Sequence, residues 1–183
     1  MKSPVSADPY DILLGHNRWG NATVLGLCER LSREQFHQPF PIGPAERGGL
    51  HATLTHVVSA MLRWSDRLAQ RPVRPPIEAA RPGFTGPVDY RERTPQELAA
   101  IAETAHAALA ELKPVVVASP GAIITVAFGD KSYQFTAAAA YIHALTHGHY
   151  HRAQCLNMLR QLGVGKLPDV DVVDWQQETE CSS

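Results

Sequence analysis

No run of this sequence is apolar enough to span a bilayer, and its opening residues lack the apolar core of a secretion signal. Cysteine is scarce. Cys28, Cys155 and Cys181 are an odd number with no CxxC spacing. That excludes a disulfide framework and a zinc ribbon, and it reads as reduced thiols in a cytoplasmic protein. Charge is balanced: 17 basic and 18 acidic residues leave a net −1. No Lys/Arg cluster forms a stripe, so the electrostatic footprint of a nucleic-acid binder is missing. The sequence also lacks an internal repeat. What is present is a chain of 183 residues, 44% hydrophobic. That suffices for one domain with a real core, expected to cover 1–183.

Hydrophobic periodicity marks four helices. The first spans about Ala7 to Leu31, with Ser6 or Asp8 as its cap. A loop dense in Pro and Gly follows, from Pro39 to Gly49. The second helix covers about Leu50 to Ala69. Arg71 to Arg93 holds five prolines and cannot be a regular helix, so it is a long connection. Thr94, Pro95 and Glu97 give the third helix a cap, an N1 proline and a capping-box acid. It is expected to run to about Leu112, where Pro114 ends it. Ile123–Phe128 and Lys131–Phe135 flank Gly129-Asp130 and predict a short β-hairpin. Thr136 caps the fourth helix, which reaches about Leu162 before Gly163 stops it. The expectation is an all-α fold: a four-helix bundle with a long crossover connection and a hairpin before the last helix. The tail after Gly165 is expected to pack over it through Val170, Val172, Val173 and Trp175.

Nine histidines stand out. His143, His147 and His151 are spaced by four, which places them on one helical face over two turns. His149 points away from them. His56 lies midway along the second helix among apolar neighbours, where a buried imidazole needs a hydrogen-bond partner or a metal. His56, His147 and His151 are therefore the candidate metal ligands. Three imidazoles with an open position describe a catalytic rather than a structural centre, and they suit zinc, nickel, copper or iron. His51 reads as a solvated helix-end residue; His16 could line the cavity and, with His37 and His106, is a weaker candidate. Arg152 and Gln154 fit supporting roles beside His151. Gly148 lets another helix approach closely. Cys155 reads as a small buried thiol. Trp19, Trp64 and Trp175 read as core or core-edge fillers. No Glu or Asp stands beside the histidines in sequence to act as a general base.

Four stretches resemble the DinB/YfiT-like family of helical-bundle proteins. Asn17, Trp19 and Asn21 look like its Asn-x-Trp-Ala-Asn segment. Leu54 and His56, with Trp64 eight residues on, look like its Leu-x-His motif. The stretch from His143 through His147, His151 and Arg152 to Gln154 looks like its His-x-x-Asn-His-x-x-x-His-Arg-Gly-Gln signature. Pro168 and Asp171 match its closing Pro-x-x-Asp segment. Thr146 and Ala153 depart from the pattern, replacing Asn and Gly without removing a ligand. The resemblance implies a four-helix bundle, a divalent metal (zinc, nickel or iron) on His56, His147 and His151, and a homodimer. It also implies a metal-dependent S-transferase or isomerase that uses a low-molecular-weight thiol on a small-molecule substrate. Arg152 and His143 are the candidate catalytic residues: one or the other would assist orientation, and Arg152 could bind a carboxylate of the protein or of a substrate. A metal-dependent hydrolase and a non-catalytic dimeric metal-binding protein are the alternatives, and neither a nucleic-acid nor a membrane partner is expected.

Overall fold

The computed structural model describes residues 7–42, 48–80, 84–128 and 131–181. The described residues form α1 (Pro9–Cys28), α2 (Arg33–His37), α3 (Leu50–Leu68), α4 (Pro95–Ala118), β1 (Ile123–Phe128), β2 (Lys131–Thr136), α5 (Ala137–Gln161) and α6 (Val172–Cys181). The protein is mostly helical, as expected. Four helices are long. Fifteen of the nineteen residues of α3 are buried, which makes it the element the others wrap. α3 packs on α4 and α5, and α1 packs on the same two. Leu54, Val57, Met61, Leu109, Leu145 and Met158 fill the space between them, each 1% exposed or less. None of the helices among the described residues is long and apolar enough to cross a membrane.

Helix starts follow the local chemistry. Asp8 caps α1 by accepting from the backbone N–H groups of Tyr10 and Asp11. Thr94 and Glu97 close a full capping box on α4. A cap of this kind is worth about 1 kcal/mol. Thr136 caps α5, and Gly163 follows its end at φ 76°, a conformation that only glycine adopts cheaply. The hairpin pairs Ile124 with Phe135 and Val126 with Tyr133. Ile124 and Val126 turn inward while Ile123 stays exposed, the alternation a strand with one buried face requires. The expected Gly129-Asp130 turn lies outside the described residues, as does Ser6.

Three expectations are corrected. α4 passes through Pro114 and ends only at Ala118. A proline deprives the carbonyl four residues back of its partner. Here that residue is Ala110, which is exposed, so water can serve the carbonyl. Val116, 3% exposed, holds the extra turn to the core. The first helix stops at Cys28, and a separate short helix, α2, opens at Ser32 with its own capping box. The tail forms α6, begun by Asp171, whose Oδ1 accepts from Val173 N and Asp174 N. Val170 packs inward and Trp175 rests against Gly15, but Val173 is 62% exposed.

The proline-rich connection between α3 and α4 is stitched to the helices despite having no regular structure. Asp66, 3% exposed, accepts from Arg74 N (3.1 Å), Nε (2.7 Å) and Nη2 (2.7 Å). Burial alone would raise the Asp66 carboxyl's proton affinity, but the Arg74 hydrogen bonds outweigh it and hold the group below its ordinary range. Ile77 N donates to Ser59 Oγ at 3.3 Å. The buried Arg93 donates to the carbonyls of Ile77, Asp89 and Arg91. His51 is corrected as well: it is only 5% exposed and accepts from Arg93 N at 3.3 Å.

Burial pushes both His51 and His106 down to about 4, from an ordinary 6.5. Between pH 6.5 and 4 the unfolded chain therefore binds more protons than the folded one, and stability falls as pH falls through that window. His106, which sits 3.4 Å from Asn21 Nδ2, isolates the effect. His106→Leu is expected to flatten the loss of melting temperature between pH 6.5 and 4. An unchanged slope would show that this ring does not carry the acid sensitivity.

Candidate metal centre

α3 and α5 run antiparallel, since His56 meets His147 and His151 while Trp64, further along α3, meets His143, earlier on α5. This crossing brings the three expected ligands together. One side-chain nitrogen from each of His56, His147 and His151 lies within 4.8 Å of the other two. His56 Nε2 and His147 Nε2 are 3.3 Å apart. Two nitrogens bound tetrahedrally to one zinc at about 2.0–2.1 Å stand about 3.3 Å from each other. The spacing fits a shared ion.

The outer nitrogens are held as well. His56 Nδ1 lies 2.6 Å from Glu78 Oε2, and His151 Nδ1 lies 2.8 Å from Gln154 Oε1. A carboxylate or amide oxygen behind a ring accepts the Nδ1 proton. It thereby fixes the tautomer that points the Nε2 lone pair inward, and it raises that nitrogen's basicity. The residues present therefore fit a divalent metal. Gln154 was legible from its place beside His151. Glu78 was not. It comes from the proline-rich connection, 22 residues past His56, where no periodicity reports a direction.

The other histidines are distributed differently. His143 lies one turn before His147, with ring centroids 5.3 Å apart, and meets Trp64 edge-on at 4.9 Å. Burial, then the nearby Arg67 charge, lowers its proton affinity. His149 points away toward His16, whose Nε2 is 3.0 Å from the Val170 carbonyl. His37 stacks on His51.

Arg152 has no exposed surface. Its Nη1 donates to Asn17 Oδ1 at 2.8 Å and Asn21 Oδ1 at 2.9 Å. Among the described residues Nε and Nη2 have no hydrogen-bond partner. Burial pulls the guanidinium's proton affinity down to about 10. Two glycines make the space it occupies. A Cβ on Gly20 would stand 2.7 Å from Arg152 Nε, and one on Gly148 2.8 Å from Nη1 and 3.3 Å from Val57 Cγ1. The helix approach expected at Gly148 is present. Cys155, at 0% exposure, is the buried thiol expected; desolvation raises its proton affinity and makes it a poor nucleophile.

Two predictions follow from this arrangement. Glu78→Gln keeps the shape but removes the charge behind His56, so zinc affinity measured by chelator competition should fall about 10–100-fold. An unaltered affinity would detach Glu78 from the centre. Arg152→Ala strands two asparagine oxygens and opens a hole, so it should cost about 2–5 kcal/mol in denaturant unfolding. Arg152→Met fills the same space without a charge to bury and should cost far less.

The family model described as the DinB family matches residues 5–180. No curated protein matches the chain.

Proposed function

This chain belongs to the DinB family, and we propose that it is a metal-dependent enzyme, an S-transferase or isomerase acting through a low-molecular-weight thiol. The observation that carries the reading is the convergence of three imidazoles, two of them with their outer nitrogens engaged by Glu78 and Gln154. His56, His147 and His151 would hold a divalent metal as neutral ligands, and the ion would supply the positive charge that stabilises a thiolate or acidifies a water. The protein's part is to hold the ligands. Glu78 orients His56 and Gln154 orients His151. Arg152, out of contact with solvent, acts as a positioning residue: it locks α1 to the helix that carries His147 and His151. His143, exposed one turn from His147, is placed to orient an incoming molecule.

Two of the chain's three cysteines are unsuited to supply the thiolate, which favours an external thiol. Cys28 and Cys155 are both buried, and desolvation raises the proton affinity of each. Hydrolysis by a metal-bound water is the second reading. Glu78 is the carboxylate found at the histidines, and its bond to His56 makes it a ligand-orienting group rather than a base for water. A four-helix bundle in one domain is supported by the mutual packing of α1, α3, α4 and α5. A cytoplasmic setting is part of the proposal and rests on the scarcity of cysteine and the lack of a CxxC spacing. A homodimer remains a proposal, for which exposed Ile142 and Tyr150 on α5 offer apolar surface.

Metal analysis of untagged protein tests the centre. The wild type should hold one equivalent, and His56→Ala and His147→Ala should be metal-poor; full occupancy in both variants ends the reading. Turnover of an electrophile with glutathione, mycothiol or bacillithiol tests the chemistry. Activity independent of any thiol moves the assignment to hydrolysis. A chelator that lowers thermal stability in a chain without turnover moves it to a structural metal. Arg152→Met separates positioning from packing: it should fold, but with α5 no longer locked to α1 it should hold metal more weakly in chelator competition and turn over more slowly.

A further inference from the structure

The hairpin leaves half of its inner face open. Directly opposed residues of an antiparallel ladder share a face, and Ile124 pairs with Phe135 as Val126 pairs with Tyr133. All four side chains therefore belong to the face turned toward the helices. On β1 that face is sealed: Ile124 is 5% exposed and Val126 2%. On β2 it is not. Tyr133 is 43% exposed and Phe135 is only half-buried. Two aromatic rings, their planes 15° apart, thus reach the surface on the side of the ribbon that a core would cover.

A continuous series of ring contacts runs from these aromatics to the metal centre. Phe135 meets Trp64 edge-on at 6.1 Å, Trp64 meets His143 edge-on at 4.9 Å, and His143 stands 5.3 Å from His147. Arg67 lies over the Trp64 ring at 5.0 Å, so Trp64, itself buried, is the fixed backing of the row rather than its open surface. His143 and Phe135 flank it and are the parts that solvent reaches. The ligands are unequal as well. His56 and His151 are buried, and His147 is the one partly exposed. The open side of the centre is thus the side on which the row begins.

We infer that this row holds an aromatic group of the substrate whose reacting atom lies at the three histidines. Aromatic rings attract one another offset or edge-on with centroids about 4.5–7 Å apart, the spacing that the row already uses. Apolar and aromatic walls with a few polar groups at one end are the usual make-up of a small-molecule site. Two rings and an imidazole offer far less surface than the roughly 800 Å² that a protein partner covers. The substrate class is then an electrophile that carries an aromatic ring close to its reacting atom. The inference rests on the catalytic reading of the centre, but its test separates the two.

The experiment is calorimetric titration of the full chain with 2-naphthalenemethanol, a neutral aromatic molecule without a leaving group. Saturable binding is expected. Phe135→Leu keeps the packing but removes one ring, and Tyr133→Ala removes the outer one. Each should weaken binding about five- to tenfold, while metal content stays at the wild-type level. Ile123→Ala, on the outer face of the same hairpin at 55% exposure, should bind like the wild type. So should the folded, metal-poor His56→Ala chain, because the row itself needs no metal. If one ring variant does not fold, the other decides. No saturable binding, equal affinity in the wild type and both ring variants, or loss of binding in Ile123→Ala or His56→Ala overturns the inference. The catalytic reading fails on separate grounds: a chain without metal or without thiol-dependent turnover ends it even where the naphthalene ring binds.

Discussion

The seam between α3 and α5 constrains the rest of the molecule. His56 can share an ion with His147 and His151 only if two helices cross antiparallel at the right height and at close range. Gly148 sits at that crossing, where a Cβ would clash with Arg152 Nη1 at 2.8 Å and press tightly on Val57 of α3 at 3.3 Å and Asn17 of α1 at 3.1 Å. The absence of a methyl group there sets the depth of the seam. The hairpin closes one end of it, with Phe135 tilted against Trp64 at 6.1 Å.

The same seam carries an energetic burden. Arg152 puts a cation where no solvent reaches it and no carboxylate answers it among the described residues. Burying a charge on these terms opposes folding, and neutral amide acceptors only partly offset the lost hydration. Apolar filling would serve stability better. In some proteins a buried charge of this kind specifies one arrangement among several. Here it fixes the rotation and height of α5 against α1, which in turn fixes where two of the three imidazoles point.

The sequence revealed the parts of the centre that lie on regular structure. His147 and His151 could be paired because four residues on one helix is a fixed geometry, and His56 stood out as a polar ring among Leu54, Val57 and Val58. Gln154 followed from His151. Glu78 did not follow from anything, because a loop carries no period from which to compute a direction, and its position depends on Asp66, Arg74 and Arg93 pinning the chain on either side. His51 was misjudged for a related reason: its burial comes from the connection folding back over the start of α3. Pro114 was read as a stop because the rule concerns the cost of a lost hydrogen bond, and that cost is small where the orphaned carbonyl faces water. Asp171 caps α6 much as Asp8 caps α1, but a lone Asp in a short tail with little apolar periodicity did not mark a helix start.

The two anchorages of the crossover have a consequence for how the protein can change. Ile77 and Glu78 are tied down by Ser59 and His56, and Arg93 secures the far end. The span between them bridges fixed points without belonging to either, and lengthening such a span costs little, because closure entropy grows only with the logarithm of its length. Insertions, deletions and exchanges there can remodel the approach to the centre while leaving the ligand geometry intact. The stretch that carries Glu78 and the stretch beyond it are thus separable, and the second can change length without moving the first.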